Sequence, residues 1–354
     1  TILAQSHRAL EYLHPENLSS RATANWSLGF AYLLQGDRTA ARQSYMKSIR
    51  LAQECGNIFT TSLATSDLGT VQEIENQLPQ AAKTYQHALR LFGDHLPPHS
   101  WQTFLGLARI SYEWNDLDAA EQHGLRSLEL ARQYEDTIDR FVIAEVFLAR
   151  LKLAKGDVTG AAALLAETAQ SVNQNHFEYR KPEVAAAQVL VLLKQGKVAT
   201  AADLAGKYAL PFSQAWVFLA QGDPVSALVV LEPLRQQKEA KNWPDELLKV
   251  MIQQAIALQA HGEMEKAMQV LGEALILAEP GGYIRIFVDE GEAMRLLIEK
   301  QSRNRDHSLG DYVNRLLAAF TQTLAAPKSA THAPDASAGV IHQKSDMIEP
   351  LSER

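Results

Sequence analysis

Four residues in one repeating position of this 354-residue chain carry recognition chemistry. Phe30 follows Leu28-Gly29, Thr70 follows Leu68-Gly69, Arg109 follows Leu107-Ala108 and Arg150 follows Leu148-Ala149. The set combines an aromatic ring, a hydroxyl and two guanidinium forks. It suits a sugar, an anion or a peptide carboxylate, because the fork donates parallel hydrogen bonds and the ring offers an apolar wall. Nothing comparable points to bond-making chemistry. The chain has no G-x-x-x-x-G-K-[ST] to cradle phosphate, no H-E-x-x-H and no G-x-S-x-G. The single Cys55 excludes an intrachain disulfide, fits a reducing cytosol and reads as a packing residue after a helical stretch. His95 and His99 are four apart, but Pro97 and Pro98 break the helix that would align them, so both read as loop residues. The expectation is a binding module without catalytic residues, metal or cofactor of its own.

The elements that position this column repeat. A six-residue turn occurs as GDRTAA at Gly36, NQLPQA at Asn76, NDLDAA at Asn115, GDVTGA at Gly156, GKVATA at Gly196, GDPVSA at Gly222 and GEMEKA at Gly262. Five of the six steps are 39 to 41 residues and one is 26. A fixed period of this size marks a solenoid of stacked units. Gly or Asn can close a helix in the left-handed conformation, and Asp37, Asp116, Asp157 and Asp223 can cap the helix that follows. Each turn should therefore join two antiparallel helices. Small residues recur where those helices cross: Gly29, Gly69, Ala108 and Ala149 before the turn, and Ala41, Ala81, Ala120 and Ala161 after it.

Composition agrees with a helical array: 46% of residues are hydrophobic and the formal charge is −7. The acidic balance argues against a duplex-binding surface spread over the chain. No run of eighteen apolar residues suggests a membrane span, and no signal peptide is evident, so a cytoplasmic location is expected. The chain opens on a helix-like half pair (Ile2, Ala9, Leu10, Leu13), as expected of a fragment of a longer protein.

The Leu-Gly, Tyr, Ala order resembles the tetratricopeptide repeat, with units longer than the usual ~34 residues. That resemblance implies an all-α, right-handed superhelical solenoid whose concave wall is lined by the first helix of each pair. On this pattern the groove residues are Trp26, Phe30, Leu33, Ser66, Thr70, Glu73, Arg109, Tyr112, Glu113, Arg150, Trp216 and Gln259. The competing reading is that these are ordinary groove residues, with water and ion pairs within the array.

The repeats give way after Ala278 to EPGGYIRIFVDEGEAMRLLIEK, expected to be helical, and then to a closing helix over Asp311 to Leu324. Residues 326–348 read as a linker, and residues 349–354 as the first residues of a further domain. Leu351-Ser352-Glu353-Arg354 resembles the opening of the LuxR-type helix-turn-helix. The order of repeats, linker and this opening is similar to the large ATP-dependent LuxR regulators, the MalT-like family. The resemblance implies a repeat domain spanning residues 1–325 that binds a small-molecule inducer or a regulatory protein or peptide and controls self-association. It also implies DNA contact only through a domain beyond residue 354, and ATP bound only by a separate upstream domain. A generic protein-interaction scaffold is the alternative.

Overall fold

The computed structural model describes residues 1–93, 96–133, 139–303 and 309–325. Among them every regular element is helical. Helix α1 (Ile2–Tyr12) precedes seven helix pairs. These are α2 (Leu18–Gln35) with α3 (Arg38–Glu54), α4 (Ile58–Ile74) with α5 (Leu78–Arg90), and α6 (Trp101–Glu113) with α7 (Leu117–Arg132). They continue as α8 (Arg140–Ala154) with α9 (Val158–Gln174), α10 (Lys181–Lys194) with α11 (Val198–Lys207), and α12 (Pro211–Ala220) with α13 (Pro224–Ala240). The last pair is α14 (Pro244–His261) with α15 (Met264–Ala278). A short α16 (Arg285–Val288), α17 (Glu292–Ser302) and α18 (Gly310–Ala325) complete the chain. The tetratricopeptide-like repeat fold is thus present, and Tyr283 to Asp289 contains a helical turn rather than a strand.

Each repeated turn lies between the two helices of a pair. Its Gly or Asn takes a positive φ, from 60° at Asn76 to 92° at Gly262. The four aspartates cap as expected: Asp37, Asp116, Asp157 and Asp223 each accept from the backbone N–H three residues on, at 2.7–3.0 Å. The 26-residue step has a simple cause. Helices α11 and α12, which separate those two turns, are only ten residues each.

The small-residue columns are helix crossings. Ala41, Ala81, Ala120 and Ala161 are completely buried. Tyr45 and Tyr85 lie flat against the glycines of the preceding helix: a Cβ on Gly29 or Gly69 would come within 2.6 Å of a ring atom. Tyr85 is clamped from the other side by Gly106, one residue before the Leu107-Ala108 pair. Cys55 departs from expectation. It is exposed at the end of α3 rather than packed, because the helix ends before its side chain can turn inward. His99 is buried between the rings of Phe59 and Phe92, and burial pushes its pKa down to about 4. His95 and residues 326–354, with the expected linker and terminal domain opening, lie outside the described residues.

The array coils back on itself. One apolar core joins Leu78, Ala82, Tyr85, Leu107 and Ile110 of the early pairs to Leu248, Met251, Phe287, Tyr312 and Phe320 of the C-terminal helices. Trp243 donates its indole N–H to the Gly36 carbonyl at 3.3 Å, and Arg38 pairs with Asp245 at 2.7 Å. Tyr283 donates to Asn76 Oδ1 at 2.9 Å, and Trp114 to the Gly281 carbonyl at 2.9 Å. The turns after α2, α4 and α6 therefore each touch the far end of the chain.

Candidate ligand groove

The first helices of successive pairs (α2, α4, α6, α8, α10, α12, α14) pack on one another in sequence, whereas the second helices spread apart. A layer with its members closer together is the inner, concave layer of a curved stack. The candidate residues sit on these inner helices, and the structure sorts them into two groups.

The first group is a hydrogen-bonded ladder over α2, α4 and α6. Trp26 Nε1 donates to Asp67 Oδ2 at 2.6 Å, and Gln102 Nε2 donates to Asp67 Oδ1 at 2.7 Å. Gln102 also reaches Thr70 Oγ1 at 3.3 Å, and the Thr70 hydroxyl meets Tyr85 OH at 3.1 Å. Tyr85 OH donates to Glu73 Oε2 at 3.0 Å. Arg109 closes the ladder with two bonds to Glu73, at 2.5 Å from Nε and 2.8 Å from Nη2. This is the parallel, bidentate fork typical of a strong guanidinium–carboxylate pair. Burial raises the Asp67 carboxyl to about 6, against the two donors that hold its charged form. Phe30 stands exposed beside the ladder, and Leu33 joins the apolar cluster around Tyr45. Ser66 is buried, its hydroxyl 2.6 Å from that of Thr103, so it does not line an open wall. Gln259 is half-buried with its Oε1 unpaired by any protein group.

The second group centres on Arg150. Its Nη2 reaches Glu113 Oε1 and Asp289 Oδ2, each at 3.3 Å, and its guanidinium lies 4.5 Å from the Tyr112 ring centre. Tyr112 was expected to line the groove openly; it is instead buried, with its hydroxyl donating to Asp289 Oδ2 at 2.6 Å. Arg285 holds the other Asp289 oxygen and donates to Asn115 Oδ1 at 3.3 Å. Glu113 accepts two backbone N–H groups, from Ile284 at its carbonyl (2.7 Å) and from Ile286 at Oε2 (3.0 Å). Trp216 Nε1 donates to Glu290 Oε2 at 3.3 Å. Burial raises the Glu290 carboxyl to about 7, with the Trp216 bond opposing it, and burial also raises Glu113. Tyr283 to Glu290 therefore lies across α6, α8 and α12, inside the groove.

The two arginines share a repeat position but not a state. Arg109 makes two short bonds to one carboxylate and keeps 33% of its side chain exposed. Arg150 has only long bonds and keeps 41% of its side chain exposed. Asp67, Gln102, Tyr85, Arg285, Asp289 and Glu290 had no place among the candidates. Tyr85 could have been found, since it aligns with Tyr45 in the repeat. The Arg150–Asp289 meeting carries no local signal, because 139 residues separate the partners.

Among the described residues, no group of three His, Cys, Asp or Glu side chains is arranged to hold a metal ion, and no helix is long and apolar enough to cross a membrane. The fold and groove define a tetratricopeptide-like helical repeat domain with a polar inner wall. The MalT-like TPR region matches residues 1–304, and the chain belongs to that family. It is 25% identical to the HTH-type transcriptional regulator MalT of Yersinia pestis (strain Pestoides F) over 308 residues, covering 81% of this chain and 33% of that protein. The MalT of Serratia proteamaculans (strain 568) is 26% identical over the same span. The chain thus spans about a third of the length of the curated relatives it matches. The fold is also similar to a Rap protein solved in complex with competence and sporulation factor. The TM-score is 0.61 at 13% identity, over 78% of this chain and 80% of that one.

Proposed function

We propose that this repeat array is the signal-sensing domain of a LuxR-family transcription regulator. It binds an inducer or a partner protein in its concave groove and thereby sets self-association and DNA binding of the full-length protein. Family membership and the relatives' description as transcriptional regulators support the reading. The Rap fold, found with a factor bound, shows that a relative in architecture takes a ligand. Arg150 is the observation that carries it: a guanidinium in the groove, held by long bonds and open to solvent. A ligand acts by favouring one arrangement of the array, since equal affinity for two arrangements shifts nothing. DNA is contacted by a domain outside this chain, and ATP is bound by another.

The test is a gel shift and sedimentation analysis of the full-length protein against a panel of small acids, oligosaccharides and peptides. A ligand that raises both self-association and DNA affinity, and that loses its effect in Arg150→Ala, is expected. A full panel that changes neither property would remove the sensing role.

A further inference from the structure

The segment Tyr283 to Glu290 makes contacts of the kind a bound peptide makes. Its backbone donates two N–H groups to Glu113, one to the main-chain oxygen and one to the carboxylate. Its Asp289 carboxylate meets a phenol and a guanidinium that belong to the groove, Tyr112 and Arg150, through one oxygen, while Arg285 of the segment itself holds the other. Its Glu290 carboxylate accepts from the Trp216 indole. Main-chain donors and successive acidic side chains are thus read together by α6, α8 and α12. The apolar side chains of the segment face elsewhere: Ile286, Phe287 and Val288 pack into the core with the C-terminal helices. The polar edge alone is offered to the groove.

We propose that Tyr112, Arg150 and Trp216 form a binding site for an acidic peptide, which the chain's own Asp289-Glu290 fills in this structure. An external ligand of this class acts by displacing that pair. This rests on the groove being the sensor and adds its ligand class and its means of regulation. Three observations support exchange. Arg150 holds Asp289 at 3.3 Å, longer than the 2.7–2.9 Å usual for a charge-assisted bond, whereas Arg109 holds Glu73 at 2.5 and 2.8 Å. Arg150 remains open to solvent while occupied, so a second carboxylate can approach before the first leaves. Glycines bracket the segment: Gly282 at φ 68° and Gly291 at φ 75°. Both are in the positive-φ region, which glycine enters with less strain than any other residue. Arg109 offers no comparable site, because Glu73 of the neighbouring repeat holds it by two short parallel bonds.

The probe is a fluorescein-labelled octapeptide with the sequence of residues 283–290, titrated by anisotropy against the complete 354-residue chain. The wild type should bind it at least tenfold more weakly than the Asp289→Asn/Glu290→Gln variant, whose own segment competes less. Adding Arg150→Ala to that variant should remove most of the gain, and adding Arg109→Ala should not. A labelled peptide with Asn and Gln at its last two positions should bind at least tenfold more weakly. Equal binding to wild type and double variant, or indifference to Arg150→Ala, would overturn the proposal. Succinate competing as well as the unlabelled octapeptide would overturn the peptide class in favour of a small dicarboxylic acid. If melting curves show the double variant unfolded, Asp289→Asn alone, which keeps an acceptor oxygen, is read by the same criteria. The outcome does not depend on any effect on DNA binding, so this inference and the sensing role can fail separately.

Discussion

Arg150 Nη2 lies 3.3 Å from Asp289 Oδ2, across 139 residues of sequence, in a groove whose other repeat-aligned arginine, Arg109, is bound to Glu73 of the adjacent repeat. Equivalent positions in successive repeats thus have different duties. Both arginines tie neighbouring repeats together, Arg109 through Glu73 and Arg150 through Glu113, but only Arg150 also ties the array to its C-terminal segment.

The two arginines should separate in stability measurements. Arg109→Ala leaves Glu73, a largely buried carboxylate, with only Tyr85 as partner, and should cost about 2–3 kcal/mol. Arg150→Ala removes a more exposed and longer interaction and should cost about 1 kcal/mol or less. Urea melts of both variants check this; equal costs would mean that the two arginines are equally structural.

The repeat alignment predicts overpacking. Ala81→Leu and Ala120→Leu place a branched side chain at fully buried crossings and should each cost on the order of 1–3 kcal/mol. Gly69→Ala should fall in the same range, because its Cβ meets the Tyr85 ring at 2.6 Å and Gly106 blocks the ring's retreat. Unchanged melting temperatures in all three would refute the crossing geometry.

Glu290 should give stability a pH slope of definite sign. Its carboxyl is raised from 4.5 to about 7, so the folded state holds a proton that the unfolded state has lost between those values. Stability from this group is therefore full below about pH 4.5 and falls as pH rises through 7. Glu290→Gln keeps an acceptor for Trp216 and removes the titration. Its stability should therefore fall by about 1 kcal/mol less than the wild type's between pH 5 and pH 8. Denaturant melts at several pH values give the comparison, and a variant that tracks wild type throughout would exclude a half-buried, titrating Glu290.

Trp243 is the seam of the coil. Arg38, Lys238 and Lys241 lie 5.0, 4.9 and 4.4 Å from its ring centre, and its indole bonds the Gly36 carbonyl. Trp243→Ala should cost about 2 kcal/mol and loosen the contact between the first and last pairs. Small-angle scattering should then show a larger radius of gyration; an identical scattering curve would show that the apolar core alone holds the coil closed.

Residues 1–354 should not bind duplex DNA selectively. The chain carries 41 acidic against 34 basic residues, and many of its arginines are already paired within the array. A salt-resistant, sequence-selective gel shift would contradict this.

The fold was legible because its instructions are local and repeated. A glycine or asparagine that closes a helix, an aspartate that opens the next and a small residue at the crossing all act within one turn of the backbone, so Gly36, Asp37 and Ala41 announce their roles wherever the motif recurs. Trp26, Thr70, Glu73, Arg109, Glu113, Arg150 and Trp216 could be placed on the inner layer for the same reason. Their partners could not. Whether Arg109 meets Glu73 depends on stacking between pairs, and whether Arg150 meets Asp289 depends on how small rotations accumulate over several repeats until the chain's end enters its own groove. The sequence by itself determined the helices, the turns and the layer on which each side chain stands. Only the tertiary structure decided which groove residues were already occupied, because superhelical closure is a sum over the whole array that no single repeat encodes.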